Sequence, residues 1–569
     1  MKYIDENNIE QILKIHDTLK REKDRYIDSW NNVITYVCPE RITSSVYGDT
    51  SIRRTNQPDR TEIYNNDVVQ AKKIYDSYKA SVLTPPDSTW LYISTDNDEL
   101  NKNKDVQIFC EKERDVVKKN LDNSNFYDEN NKVYYDNSAF GPGILFVERS
   151  YSGSSNIVCT AMDIFECAID TNAEGEVNTL IRSTSKTARQ VIEEFGEENV
   201  SEELKKKFEK DPEEYVSLVH AVFPRDIYNK DKGRKKSDKN KPFASVWIEL
   251  DTKHRLKGSG YNTFPYIPAI MPRSVGDKYG SSICIDIMPS IKMVNNMSEV
   301  IIKNAQYMAE PPLAANMDAI ECWEDLAKDG LQPGMIVPVK VGQSGILREQ
   351  IEPILTTSAQ FNIAYEIYKK EIESIKNAFA NNQITLPGLT TEKTATEVHV
   401  RKLDQARVMS PEYSCYQRYL SKLVERVIDI LSEIPGELPE LPPILQESEA
   451  NYRIQFVSQL TKSQKILEVQ ATLEWIQTTL QVSQVFPQAL DMVDIDYIVS
   501  HIAEVTNVPA QAVKSNKEVK LIREQRANQL KQERQLQIAA QQAAAIKDVA
   551  KAGKDAQGTS LENMEGQVQ

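Results

Sequence analysis

Gly141-Pro142-Gly143 is the stretch that most invites a chemical reading, because neighbouring glycines let backbone N–H groups close around a phosphate. It has neither of the spacings that such loops need. No Gly-x-Gly-x-x-Gly is present and no Gly-Lys-Ser/Thr follows, so the sequence predicts a structural turn. The seven cysteines (Cys38, Cys110, Cys159, Cys167, Cys284, Cys322, Cys415) are scattered without a Cys-x-x-Cys pair, and the five histidines are equally dispersed. Neither a disulfide framework nor a zinc site is indicated, and the thiols read as small buried hydrophobes. No catalytic residue, metal ligand or cofactor emerges. Basic clusters remain. Residues Lys230 to Lys241 carry seven basic and two acidic side chains, and Ser515 to Lys554 carry nine and four, a local charge of +5. Such runs bind phosphates by releasing counterions, or stay hydrated on a solvated face.

The chain as a whole is acidic, with a net charge of −15 over 569 residues, which opposes a simple nucleic-acid binder. Its 40% hydrophobic and 27% charged residues describe a globular protein, and its length suggests roughly three or four domains. No apolar run approaches the ~18 residues that span a bilayer. The start Met1-Lys2-Tyr3-Ile4-Asp5-Glu6 lacks a signal-peptide pattern, so assembly in a reducing cytoplasm is expected.

The elements that must position these residues centre on Tyr279 to Ser432. A helix is predicted from Pro289 to Ala309, stopped by Glu310-Pro311-Pro312. A return helix opens at Thr357-Ser358 and spaces Phe361, Tyr365, Tyr368, Ile372, Ile375 and Phe379 as a seam, with Lys369, Lys370 and Lys376 off it. Between them, Leu313 to Thr357 reads as a β-rich insert. The loop Asn381 to Glu392 leads to a third helix, which Pro411 must bend. N-terminal to this lie expected helices at Ile9 to Val37, Val68 to Val82, Val106 to Leu121, Thr187 to Phe195 and Ser201 to Phe208. Expected strands lie at Trp90 to Ile93, Gly143 to Val147, Ile157 to Cys159, Tyr215 to Phe223 and Ala244 to Leu250. Trp30 and Trp90 read as core. C-terminal to it come a proline-rich break at Pro435 to Pro443, a helical block reaching Val513, and a helix-prone polar segment that is expected to be disordered from Gly553.

Leu83-Thr84-Pro85-Pro86 with Trp90, Phe140-Gly141-Pro142-Gly143, Tyr279-Gly280-Ser281 with Met297-Ser298, Glu310-Pro311-Pro312-Leu313 and Thr394-Ala395-Thr396-Glu397-Val398 follow one another in an order that resembles the portal, or head-to-tail connector, proteins of short-tailed, podovirus-type bacteriophages. Ser410-Pro411 stands where the family has Gly-Pro, and Lys422 where it often has proline. The resemblance implies an α+β, non-enzymatic portal fold, with residues 1–278 as the N-terminal wing, 279–310 and 358–380 as stem helices, 311–357 as the clip, and 381–393 as the tunnel loop. It makes 394–434 the wing's kinked long helix, 435–514 the crown, and 515–569 a polar helix or barrel with a disordered tail. It further implies a homo-oligomeric ring, twelvefold by analogy, at one capsid vertex of the virion. Double-stranded DNA would pass through that ring, and terminase or packaging motor, tail adaptor, major capsid protein and scaffold would dock on it. Gln383, Ile384, Thr385, Leu386, Pro387, Gly388 and Leu389 would line the constriction; Lys369, Lys370 and Lys376 would face the tunnel; Trp323, Met335, Val337 and Lys340 would serve clip docking; and Pro411 would set the kink. Two other classes stay open at this point: a different head–tail ring such as a tail adaptor, and a DNA-packaging enzyme.

Overall fold

The computed structural model describes residues 4–41, 63–95, 97–101, 103–151, 153, 155–225, 241–271, 276–310, 313–316, 336–339, 351–353, 360–381, 410–448, 452–456, 459–484, 486–505, 508, 512–514 and 516–565. The chain divides into two compact units. The first holds residues 1–96, 112–441 and 449–464, and the second holds 97–111, 442–448 and 465–569.

The helices are α1 (Ile9–Tyr36), α2 (Asp67–Leu83), α3 (Asp98–Asn101), α4 (Lys104–Asp122), α5 (Phe126–Phe140), α6 (Ala188–Phe195), α7 (Glu202–Lys210), α8 (Ile283–Asp286), α9 (Met288–Ala309), α10 (Gln360–Ala378), α11 (Ser410–Ser432), α12 (Pro443–Ser448), α13 (Gln459–Ser483), α14 (Ile495–Val505) and α15 (Asn516–Glu565). The strands are β1 (Leu91–Thr95), β2 (Gly143–Arg149), β3 (Ile157–Met162), β4 (Cys167–Thr171), β5 (Val177–Thr187), β6 (Tyr215–Pro224), β7 (Phe243–Glu249), β8 (His254–Tyr261), β9 (Tyr266–Ala269), β10 (Leu313–Asn316), β11 (Ile336–Val339), β12 (Ile351–Pro353) and β13 (Tyr452–Phe456).

The first unit is built on an antiparallel sheet in the order β4-β5-β6-β7-β8. Alternation along β6 sends Val219, Ala221 and Phe223 to one face, where Ile12 and Leu19 of α1 cover them. Val216 and Leu218 go to the other face, under Val191 and Phe195 of α6 and Leu204 of α7. Side-chain caps fix where these helices start: Asn8 accepts from the Gln11 N–H at 3.0 Å, and Thr187 and Gln190 form a reciprocal capping box. A second sheet, β3-β2-β9, carries α5 and α11, while β1 pairs with β13 across some 360 residues of sequence, Leu91 opposite Phe456. Trp30 and Trp90 are fully buried, as expected, and all six described cysteines are buried.

Several elements depart from expectation. Helix α5 and strands β5 and β8 were not anticipated. α15 runs to Glu565, through the segment expected to be disordered from Gly553. The β-rich insert contributes three short strands in the order β11-β10-β12, with β10 parallel to β11 and antiparallel to β12. Among the described residues no helix is long and apolar enough to cross a membrane.

Candidate functional site

Three of the sequence motifs, at Thr84 with Trp90, at Phe140 to Gly143 and at Tyr279 to Gly280, meet around α5. Its buried face carries polar residues: Asn130 and Asn137 are fully enclosed, and each is held by bonds to other parts of the chain. Asn137 Nδ2 donates to the Gly141 and Ala269 carbonyls at 2.6 and 2.9 Å, and its Oδ1 accepts from the Tyr416 hydroxyl of α11. Asn130 donates to Thr84 Oγ1 (3.2 Å) and accepts from Tyr419 (2.7 Å). At the C-terminus of α5, where carbonyls lack helical partners, Trp30 Nε1 donates to Phe140 O at 3.0 Å and Ser282 Oγ to Ala139 O at 2.7 Å.

Gly141 then turns the chain at φ 103°. A Cβ there would meet the Tyr279 and Gly280 backbone at 3.2 Å, and one at Gly143 would lie 2.4 Å from Val133 O. These glycines are required because the chain approaches its own backbone, which leaves no phosphate cradle at this turn. Arg41 closes the same region. It pairs with Asp136 and with Asp163 (2.9 Å), and its guanidinium lies 4.6 Å from the Phe140 ring centroid.

Two fully enclosed lysines on α2, which sequence reasoning missed, sit beside this cluster. Lys72 Nζ bonds Asp76 at 2.7 Å, and the Asp76 carboxylate also accepts from Ser138. Lys79 donates to the Tyr416 hydroxyl at 2.9 Å. Burial pulls its pKa down, while the Glu412 carboxylate opposes that pull. Their i,i+7 spacing on one helix face was the available signal.

The α9 and α10 helices pack together, and among the described residues their contacts with α1 and α2 gather at one end. At that base Ile291, Val294, Ile375 and Phe379 are buried. The Phe379 ring lies 6.0 Å from Tyr75 of α2, the Tyr368 hydroxyl takes bonds from Asn65 (2.6 Å) and Ser298 (3.2 Å), and Asn295 accepts from the Tyr64 N–H at 2.9 Å. Toward the other end Val300, Ile302, Met308, Tyr365 and Ile367 are exposed. The expected seam on α10 is therefore buried at Ile375 and Phe379, and Tyr365 lies open.

The candidate channel lysines separate. Lys369 and Lys370 are exposed, with Lys369 Nζ 4.5 Å from the Tyr365 ring centroid, whereas the Lys376 ammonium pairs with Asp67 of α2 at 3.2 Å. Pro411 is the second described residue of α11, and the residues before Ser410, on which the expected kink depends, lie outside the described residues. Val337 lies in β11, opposite Ala314 of β10. Gln383 to Leu389, Trp323, Met335, Lys340 and the basic run Lys230 to Asn240 lie outside the described residues.

The sequence profile of the bacteriophage head to tail connecting protein family matches residues 9–513. The chain belongs to this family. Full-length relatives agree. The chain is 24% identical over 537 residues to a probable portal protein of Bordetella phage BPP-1, covering 93% of this chain and 91% of that one. It is 25% identical over 550 residues to the portal protein of Salmonella phage epsilon15, covering 92% of each. A shorter match, 26% over 183 residues and 32% of each chain, joins it to the portal protein of Enterobacteria phage T3. Membership of the head-to-tail connector family implies a place at the portal vertex of the virion and assembly as a ring with capsid and tail.

Proposed function

We propose that this chain is the subunit of a phage portal: a twelvefold ring at one capsid vertex through which double-stranded DNA is packaged and ejected, and on which packaging motor and tail adaptor dock. The observation that carries this reading is the family match along residues 9–513 together with portal relatives matched over nine-tenths of their length. The α9/α10 pair fits the stem. Its base is fixed to α1 and α2 and its far end presents apolar residues that the chain itself leaves uncovered.

In the ring, Lys369 and Lys370 form a cationic collar, because symmetry repeats each at one height while the phosphates follow a helix, so collar and duplex never match everywhere and DNA slides. Lys376 leaves that set, since its ammonium is turned to Asp67. Residues 383–389 narrow the passage and resist backflow. The clip, including Trp323, Met335, Val337 and Lys340, receives motor and adaptor, and the outer wing meets major capsid protein and scaffold.

Electron micrographs of the purified chain test this reading. Rings with an axial channel, formed without any preassembled portal, are expected. Rings that appear only on a supplied portal would make the chain an adaptor, and nucleotide hydrolysis by the purified chain would return the packaging-enzyme alternative.

A further inference from the structure

Helix α13 breaks the rule that an amphipathic helix has one apolar face. Its second half carries Leu473 and Leu480 seven residues apart, 45% and 50% exposed, and Trp475 and Val482 seven residues apart, 48% and 46% exposed. At 3.6 residues per turn the two pairs lie about 160° apart around the helix. Val469 and Ile476 extend the first stripe, so the helix has two opposed apolar stripes and polar residues Glu474, Gln477, Thr478 and Gln481 between them. One partner helix can cover one stripe only. Burying both takes a partner on each side.

The neighbouring segments of the same unit say what kind of partner it is. Residues 486–505 hold four acidic side chains, Asp491, Asp494, Asp496 and Glu504, and neither lysine nor arginine. Residues 516–534 hold six basic and three acidic ones. One match between these segments is already made inside the chain, where Arg523 grips Asp496 with two bonds of 2.5 and 2.6 Å. Asp491 and Asp494 on one side, and Arg526, Lys531 and Arg534 on the other, remain exposed. The unit thus carries both halves of a complementary surface. A second copy of this chain meets that chemistry, and a two-sided requirement is what head-to-tail closure supplies, since every subunit of a ring has two neighbours.

We infer that α13 is an assembly helix, its Leu473/Leu480 stripe packing on the Trp475/Val482 stripe of the next copy, with acidic residues 491–504 of one copy facing basic residues of 516–534 of its neighbour. The inference rests on the portal-ring reading and locates the contact that closes the ring.

Cross-linking in the intact full-length chain tests it without disturbing the fold. In a Cys322→Ser background, which keeps the six buried native thiols, a chain carrying both Leu480→Cys and Val482→Cys, treated with a short bismaleimide, gives a ladder of covalent multimers extending past the dimer. The parent background and the chains carrying Leu480→Cys or Val482→Cys alone give none. No ladder from the double variant overturns the inference, and so does a single variant that links to dimers, since like would then face like. A complementary pair supplies the second arm: Leu473→Glu/Leu480→Glu and Trp475→Glu/Val482→Glu each fail to form rings alone, and mixed together they form dimers through the one intact contact. Rings from either variant alone overturn the inference. A wild-type chain that stays monomeric overturns the portal reading instead, so the two failures are told apart.

Discussion

Helices α11 and α13 each have more than 20 described residues, yet they are finished differently. In α11 Leu420, Leu423, Val427, Ile430 and Leu431 share one face and are buried against the β2 and β9 strands, so the chain completes the helix by itself. In α13 the apolar residues Leu473, Trp475, Leu480 and Val482 stand on two sides and stay half open. The difference teaches where the folding of one copy ends and the association of copies begins. A one-faced helix is satisfied by its own sheet, and a two-faced one needs neighbours.

The sharpest way to break this comparison is to truncate one leucine in each helix. Leu423→Ala leaves a cavity in a closed core and is expected to cost roughly 2–5 kcal/mol in denaturant unfolding. Leu473→Ala is expected to change the unfolding of unassembled chain by less than about 0.5 kcal/mol while weakening rings. Equal costs would contradict the distinction.

A second contrast uses pH on the covered body. His220 is enclosed between Tyr266 (2.6 Å), Ser245 (2.9 Å) and the Trp247 ring stacked at 4.2 Å. Burial, with Arg182 and two lysines adding to it, lowers its pKa to about 3. The folded state thus binds fewer protons than the unfolded chain between about pH 6.5 and 3. The stability this group confers is complete above that window and is lost as pH falls through it, on the order of a few kcal/mol. Thermal melting of His220→Gln should show a shallower acid slope than wild type; identical slopes would contradict the assignment.

Smaller again is Tyr416→Phe, which removes the acceptor of the enclosed Lys79 and a donor to Asn137, and should cost about 1–3 kcal/mol. Smallest is Lys376→Ala. Its pair with Asp67 is partly exposed, so equilibrium unfolding should move by about 0–1 kcal/mol. A larger loss would mean that α10 depends on this pair for its anchorage.

How much of this was legible in the sequence depended on what each element buries. Helices α1, α9 and α10 were readable because apolar residues recur at helical spacing. The residues Gly141 to Gly143 were readable as a turn because the phosphate-loop spacings fail. Helix α5 was not, because the face it buries holds Asn130, Asp136, Asn137 and Ser138, and hydropathy reads such residues as solvent-facing. Only their partners, Arg41, Asp76, Thr84, Tyr416, Tyr419 and the Gly141 and Ala269 carbonyls, make that face a core, and these come from distant parts of the chain. The candidate channel lysines were readable as a charged line on α10. Which of them turns inward to Asp67 was not, because the partner lies some 300 residues away. The seam ran out at Tyr365 for a related reason: periodicity marks the side of a helix that seeks cover without saying whether its own chain provides it.

Closure by copies of one chain is tested most directly by sedimentation velocity of the purified protein. The expected result is one sharp species of about 780 kDa, the mass of twelve chains of 64.8 kDa, with little material between it and the monomer. A single boundary at 64.8 kDa that persists at high protein concentration would contradict it.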